Sequence, residues 1–230
     1  MVKNMITCHR KIKAMTKISF SQSSIEKIEA AIKAAEAEVG AELVPIIVPR
    51  SDTYPELVSR GALLGGAVGA VVLLSRELIS PEWTLPHTAY DLLFLLAMAG
   101  TGALLLWGLP RLGRPLLSPL RLSQAVACSA RERMFTENLV GTKNRNAVLL
   151  YASLFERQLE VVADRKAAEK IPPMVWQKVA ESFVSHAKKG DFESAILAAI
   201  KDCQAAMKIA GFRPSSNEAD EITNSPKVEG

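Results

Sequence analysis

Two glycine-containing apolar stretches decide the fold: GALLGGAVGAVVLLSRELI at residues 61–79 and LLFLLAMAGTGALLLWGL at residues 92–109. Each is close to the roughly 20 residues that a helix rising ~1.5 Å per residue needs to cross a ~30 Å hydrocarbon layer. The alternative is a pair of helices buried in a large soluble core, but such helices seldom run this far without a polar face. Arg76, near the end of the first stretch, can extend its guanidinium to the lipid headgroups. The sequence therefore predicts two membrane-spanning helices, over residues 61–79 and 91–109.

The connector between the two spans, residues 80–90, is too short for a domain, so the helices are predicted to form a hairpin. Pro81 and Pro86 break a helix there, and Trp83 and Tyr90 suit the interfacial aromatic belt. Arginines are concentrated outside the hairpin, at Arg50, Arg60, Arg111, Arg114, Arg121, Arg131 and Arg133. Because positively charged flanks remain in the cytoplasm, we expect an inner (plasma) membrane protein whose soluble domain and both termini are cytoplasmic.

Small residues recur every four positions on both predicted spans, at Gly61, Gly65 and Gly69 and at Ala99 and Ala103. This spacing lets helix backbones approach closely in lipid. Two interpretations follow, an oligomerisation face between copies of the chain or packing of the two hairpin helices on each other, and we favour the second. The chain has neither a GxxxxGK[ST] motif nor a GxGxxG motif between a strand and a helix, which excludes a glycine-rich phosphate loop.

The rest of the chain is enough for one modest soluble domain with tails. The net charge of +4 over 230 residues is mild. The basic segments lack the interleaved aromatic residues of a nucleic-acid surface, so we predict no nucleic-acid partner. Cys8, Cys128 and Cys203 are widely spaced and odd in number, which favours reduced thiols over a disulfide framework or a zinc site. The basic N-terminal tail, residues 1–17, lacks the apolar segment of a signal peptide.

Residues 18–60 predict the first part of the soluble domain. Ser23 and Glu26 form an S-x-x-E capping box, and the helix that they open ends at Gly40. The apolar stripe of this helix consists of Ile25, Ile28, Ile32, Ala35 and Val39. Residues 42–48, ELVPIIV, predict a strand. Pro45 removes a backbone donor from that strand, which indicates a position at the edge of a sheet.

Residues 122–212 predict the second part of the domain, after a proline-rich linker at residues 110–121. A helix over residues 122–139 is expected to direct four apolar side chains to one side: Val126, Ala130, Met134 and Phe135. Residues 147–154 and 158–163 predict a β-hairpin. Residues 213–230 are polar and aperiodic and are predicted to be disordered.

Two further helices follow this β-hairpin, one starting at Pro172 and Pro173 and one starting at Asp191. Their apolar stripes are Val175, Trp176, Val179, Phe183 and Ala187, and then Ile196, Ala199, Ile200, Cys203 and Met207. Trp176 is predicted to pack against the two strands of the hairpin. The competing interpretation is that Trp176 is an exposed anchor for a partner, because tryptophan is enriched at binding hot spots.

Residues 146–164, NAVLLYASLFERQLEVVAD, together with the tryptophan-containing helix and the Gly-Asp-Phe start of the last helix, resemble the TPM domain family. The capped helix and the strand at residues 41–48 are similar to the start of that domain. The resemblance covers about residues 18–60 and 122–212, with the hairpin inserted as in some bacterial membrane members. It implies an α/β fold with a small central sheet flanked by helices, a TPM-like sandwich interrupted by a two-helix transmembrane hairpin.

What the resemblance implies about function is divided, because some family members act as metal-dependent acid phosphatases and others as accessory factors for membrane complexes. Many members carry Asp-Asn-Gly before the second strand, where this chain has Lys143, Asn144, Arg145 and Asn146. The positive charge there works against magnesium or calcium. Asp164 matches the family's aspartate after the third strand. We favour a helix cap or turn residue at Asp164 over a metal ligand.

Other catalytic groups are sparse. His9, His87 and His186 are predicted not to converge on one site. Ser153 lacks the glycines of a nucleophile elbow, and the charged pair of Glu156 with its neighbour Arg157 is expected to be solvated at the hairpin turn.

We therefore expect a membrane-anchored, non-enzymatic interaction domain that assists assembly or quality control of a membrane complex. The expected partners are the lipid bilayer and a membrane protein, with no catalytic residues, cofactor or metal. The alternative is a divalent-metal-dependent acid phosphatase that uses Asp164 with further acidic residues.

Overall fold

The computed structural model describes residues 21–79, 88–137, 139, 146–214 and 227–228. In chain order the elements are α1 (Gln22–Val39), β1 (Leu43–Val48), α2 (Glu56–Ile79), α3 (Thr88–Gly108), α4 (Pro110–Gly113), a 3₁₀ turn (Arg114–Leu116), α5 (Pro119–Thr136), β2 (Val148–Ser153), β3 (Gln158–Ala163), α6 (Arg165–Lys170), α7 (Pro173–Ala187), α8 (Phe192–Ile209) and β4 (Lys227–Val228). The chain forms two units. The hairpin unit comprises residues 53–122, and the sheet unit comprises residues 1–52 together with residues 123–230.

The sheet unit is built on a small mixed sheet with the strand order β3-β2-β1-β4. β1 and β2 are parallel, with Leu43 opposite Val148, and β2 and β3 form an antiparallel hairpin. The α/β fold with a small central sheet flanked by helices is therefore confirmed. The two residues of β4 pair in parallel with Ile46 and Ile47. The prediction that β1 is an edge strand is thus wrong for this part of the strand.

Both faces of the sheet are covered by helices, which explains why β1 and β2 read as continuous apolar runs. Every residue of these two strands is buried. The larger core lies between one face and the helices α1, α7 and α8, and includes Ile28, Ile32, Phe183, Ile200 and Met207. The smaller core lies on the opposite face, where α5 contributes Val126, Ala130 and Met134.

Along β1, the backbone N–H and C=O groups of successive residues point in turn toward β2 and toward the opposite edge. This alternation identifies the groups on the outer edge of β1. The carbonyls of Glu42 and Val48 accept hydrogen bonds from the β2 side at 2.8 and 3.0 Å. Alternate residues of a strand direct their N–H and C=O groups to the same side. Leu43, Pro45 and Ile47 therefore direct theirs toward the edge that carries β4.

This outer edge offers few backbone donors. The Leu43 N–H donates to Glu36 Oε1 at 2.9 Å, and Pro45 has no N–H. Ile47 lies opposite Val228 of β4. A carboxylate, a proline and a short strand therefore leave this edge with few free backbone groups. Features of this kind prevent an exposed strand from pairing with another chain.

Several predictions about local structure need correction. The N-cap of α1 is Ser21 and not Ser23, because the Ser21 side chain accepts from the Ser24 N–H at 3.1 Å, so the predicted capping box does not form. Gly40 ends the helix in the left-handed conformation, as predicted (φ 59°). Ile25 of the predicted stripe is only half-buried. The short helix α6 has no counterpart in the sequence prediction.

Phe135 is 69% exposed and does not join the core beneath α5. It follows Val126 by nine residues, which places it about half a turn away on a helix of ~3.6 residues per turn. Val126, Ala130 and Met134, spaced by four, form the buried ridge instead. The expectation that Phe135 shares their side was therefore wrong.

The C-terminal tail, predicted to be disordered, is a strand at Lys227–Val228. The rest of the tail beyond residue 214 lies outside the described residues. So do the basic tail at residues 1–17, most of the connector, and the residues Cys8, His9, His87, Lys143, Asn144 and Arg145.

We expect Phe183→Ala to destabilise the sheet unit by about 3–5 kcal/mol, because the ring is fully buried between helices and sheet. Met174→Ala on the same helix is the matched control, since Met174 is 71% exposed. The control should change the free energy of unfolding by less than about 0.5 kcal/mol. Urea unfolding of the full chain in a mild detergent measures both, and equal effects would contradict the core assignment.

Candidate functional site

The hairpin unit contains two helices that are long and apolar enough to cross a membrane, Glu56–Ile79 and Ala89–Gly108. The first begins five residues before its predicted span and the second begins two residues before it. In the most apolar 18-residue stretch of each helix, only 17% and 6% respectively is buried. A core helix of a soluble protein is, by contrast, mostly buried. The two helices thus expose their apolar side chains outward, which is what crossing a membrane would require.

The two helices meet through glycine. A side chain at Gly61 would collide with the Gly102 carbonyl, and one at Gly65 would collide with the Met98 carbonyl. At Gly69 a Cβ would lie 3.1 Å from the Met98 Cβ. The three glycines named from the sequence therefore lie at the contact between α2 and α3, where the backbones touch.

On α3 the same contact involves the predicted Ala99 and Ala103. The Ala103 Cα lies 3.2 Å from a Cβ built on Gly61, and the Ala99 Cβ lies 3.8 Å from one built on Gly66. Sequence reasoning missed Gly102, where any side chain would collide with the Gly61 carbonyl. Its spacing of three from Ala99 was the available signal, because residues three apart share a helix face.

Each end of the hairpin carries an ion pair that joins α2 to a later helix. Arg76 on α2 lies 3.2 Å from Asp91 on α3 and 3.3 Å from Glu77. At the opposite end, Arg121 lies 3.1 Å from Glu56. These ion pairs connect the ends of the helices and neutralise charge next to apolar surface.

We expect Gly102→Val to separate the two helices and to cost about 1–3 kcal/mol, as overpacked contacts usually do. Gly100→Val is the control on the same helix, since a side chain there meets nothing within 4 Å. Thermal unfolding of the detergent-solubilised chain should show a lower midpoint for the first variant only. A loss of the same size in Gly100→Val would mean that valine disturbs α3 at any position.

The sheet unit contains a buried group of polar side chains at the carboxyl ends of β1 and β2, which we call the polar cluster: Ser51, Ser129, Tyr151, Ser153 and Glu156. In open α/β sheets this end of parallel strands is where ligands bind. Ser153 and Glu156 are fully buried, and Ser51 is 7% exposed.

Glu156 is the centre of this cluster. Its Oε1 accepts the Ser51 N–H at 3.0 Å, and its Oε2 accepts the Ser153 hydroxyl. The Ser51 hydroxyl donates to Ser153 Oγ at 2.9 Å. The expectation that Glu156 is solvated was therefore wrong, because the turn after β2 directs its side chain inward.

Tyr151 and Ser129 complete the polar cluster on the side of α5. The Ser129 hydroxyl donates to the Ser51 carbonyl at 3.0 Å. Burial raises the pKa of the Tyr151 hydroxyl, and hydrogen bonds with the side chains of Ser51 and Ser129 partly offset this rise. The cluster therefore holds residue 51, just after β1, against the β2–β3 turn.

The chemistry of the polar cluster is that of a structural lock. A hydroxyl next to a carboxylate is a pairing used for nucleophiles. Here, however, both carboxylate oxygens accept hydrogen bonds and neither Glu156 nor Ser153 reaches the surface. Sequence reasoning missed the cluster. The available signal was a serine at the end of an apolar strand, three residues before a glutamate.

Asp164 is the N-cap of α6, one of the two roles (helix cap or turn residue) that the sequence favoured, and its Oδ1 accepts the Arg165 N–H at 2.7 Å. Its Oδ2 is buried and has no hydrogen-bond partner among the described residues. No three His, Cys, Asp or Glu side chains in the described part of the chain lie close enough together to hold a metal ion. Among the described residues, Asp164 is therefore a helix cap without a group of further acidic, histidine or cysteine side chains around it.

Two other residues named from the sequence lie on α7. His186 Nδ1 is 3.0 Å from the Ser182 carbonyl, which is a local contact within the helix. Trp176 is half-buried and packs against the larger core, and its predicted contact with the two hairpin strands stays a prediction. Its indole Nε1 is buried with no partner among the described residues.

We expect Glu156→Ala to destabilise the chain by about 2–5 kcal/mol, because it leaves the Ser51 N–H and the Ser153 hydroxyl buried without an acceptor. Glu169→Ala removes a carboxylate that is 64% exposed and paired with Arg165 at 2.9 Å. Such a surface pair contributes about 0–1 kcal/mol. Denaturant unfolding of both variants tests the lock, and equal small losses would refute it.

The chain is similar to a known domain family and to a known structure. Residues 122–206 match the TPM domain, which confirms the resemblance for the second part of the soluble domain. The NMR structure of BA42 protein from the psychrophilic bacterium Bizionia argentinensis is similar with a TM-score of 0.54 and 12% identity, over 95% of this chain and 99% of that chain. At this identity the likeness shows the fold alone. No curated protein matches the chain significantly.

Proposed function

We propose that this chain, which carries a TPM domain at residues 122–206, is an integral membrane protein that holds this domain at the cytoplasmic face of the inner membrane. There it acts as a non-enzymatic interaction factor for a membrane complex, in its assembly or quality control. One observation carries the proposal: two outward-facing apolar helices are inserted between β1 and β2 of a single sheet. A hairpin returns the chain to the side from which it left, so both segments of the sheet unit share one compartment.

The aromatic residues of α3 support a spanning orientation. Tyr90 and Trp107 are 73% and 67% exposed near its two ends. The helix rises ~26 Å between them at ~1.5 Å per residue, close to the ~30 Å hydrocarbon core. Tyrosine and tryptophan at this separation are typical of the two interfacial belts.

Apolar side chains on the sheet unit support an interaction role. Phe135, Met174 and Ile209 are 69%, 71% and 89% exposed. Aromatic residues and methionine are enriched where proteins meet. The polar cluster, by contrast, is buried, so a partner of the sheet unit would meet surface side chains such as these.

The native cysteines provide a topology test. Cys128 is exposed, whereas Cys203 is buried and its pKa is raised to about 12 by that burial, so it remains an unreactive thiol near neutral pH. In a Cys8→Ser background, a membrane-impermeant maleimide should label Cys128 only after cells are permeabilised. Thr84→Cys in the connector should be labelled in intact cells. The reverse pattern would mean that the arginine asymmetry has been misread.

The enzymatic alternative is tested separately. The detergent-solubilised chain is assayed with a generic phosphomonoester, with and without magnesium or calcium. We expect no metal-dependent hydrolysis. Turnover that is lost in Asp164→Asn and kept in Asp202→Asn would overturn the non-enzymatic proposal and leave the membrane topology intact.

A further inference from the structure

We propose that residues 109–121, together with Arg60 of α2, form a surface that binds the headgroups of anionic phospholipids. We call these residues the headgroup surface. The inference rests on the proposed function, since a surface of this kind requires the hairpin to lie in a bilayer. It adds a specific chemical class of lipid to that proposal.

The apolar part of the headgroup surface begins where α3 ends. Leu109, Leu112 and Leu120 are 54%, 58% and 67% exposed. Leu109 directly precedes α4, Leu112 lies in α4 and Leu120 lies in the first turn of α5, and an arginine stands next to Leu112 and to Leu120 in sequence. Exposed leucines next to arginines are the pattern of a segment that lies at the boundary between acyl chains and headgroups.

The cationic part of the surface is defined by which arginines are already paired. Arg121 lies 3.1 Å from Glu56 and 5.3 Å from the centre of the Tyr54 ring, so its charge is satisfied within the unit. Arg60 and Arg111 make no ion pair with any acidic residue in the described part of the chain. These two guanidiniums are left for an external anion, and a lipid phosphodiester is a matching acceptor.

Packing holds the two free arginines at the same end of the hairpin unit. A Cβ at Gly113 would lie 2.7 Å from Leu57 Cδ2, so α4 packs closely on the first turn of α2. Arg111 precedes Gly113 by two residues, and Arg60 follows Leu57 by three. The contact between Leu57 and Gly113 therefore brings both arginines and the exposed leucines into one pre-formed surface.

Native mass spectrometry of the full chain in a neutral detergent measures the preference. Titrations use dioctanoyl phosphatidylglycerol, dioctanoyl phosphatidylcholine and glycerol phosphate. We expect phosphatidylglycerol to bind tightest. Arg60→Gln and Arg111→Gln should each weaken it roughly fivefold, which corresponds to the effect of one cation at an anionic membrane surface. Leu112→Ser should weaken the binding of phosphatidylglycerol and of phosphatidylcholine by the same factor.

Lys178→Gln with Lys201→Gln is the control, because it removes the same charge from exposed positions on α7 and α8 of the sheet unit and should leave lipid binding unchanged. An unchanged phosphatidylglycerol preference in the double arginine variant would overturn the inference. Equal binding of glycerol phosphate would also overturn it, since that would indicate a site for free anions. Release of the wild-type chain from membranes at alkaline pH would instead refute membrane anchoring itself.

Discussion

The parallel pairing of β1 with β2 is the contact on which the rest of the structure depends. It joins two segments that the whole hairpin unit separates in sequence, in register from Leu43 opposite Val148 to Val48 opposite Ser153. Parallel strands need a crossover connection, and here that connection contains both apolar helices. The polar cluster lies where this pairing ends, so Glu156 reinforces the sheet at the point where the chain leaves it for α2.

Local periodicity made most of the fold predictable. The stripes of α1, α7 and α8 and the β2–β3 hairpin were readable because burial alone selects apolar residues at fixed spacing. Trp176 was assigned to an apolar stripe for the same reason, and it is half-buried against the larger core. The two apolar helices were readable from length and composition, which need no knowledge of the rest of the chain.

What the sequence did not reveal depends on contacts between distant segments or on fine geometry. Glu156 looks like a solvated turn residue until Ser51, about one hundred residues earlier, supplies its donor. Phe135 looks like a core residue from its apolar side chain alone. Its position half a turn away from Val126 around α5 shows that it faces the other side. The pairing of Val228 with Ile47 is equally invisible, because two residues carry no periodicity.

The candidate site was predictable to the same extent and for the same reason. The glycines of α2 were found from their spacing, whereas Gly102 required knowing which face of α3 meets them. The polar cluster was not found, because a serine and a glutamate near a turn have no periodic signature. Asp164 was favoured as a helix cap or turn residue over a metal ligand, and it caps α6, since capping depends only on neighbours in sequence.

Different forces stabilise the sheet unit and the hairpin unit, each within itself. This difference decides how the stability of each unit responds to a substitution. The sheet unit buries large apolar side chains on both faces of its sheet. The hydrophobic effect therefore drives its folding. If the hairpin lies in lipid, its helices gain no such driving force by meeting, because lipid tails are as apolar as leucine. Their association then depends on backbone contact at Gly61, Gly65 and Gly102, where shape rather than hydrophobicity sets the energy. Shape therefore limits which side chains the hairpin tolerates at these glycines, whereas the stability of the sheet unit depends on how much apolar area its side chains bury.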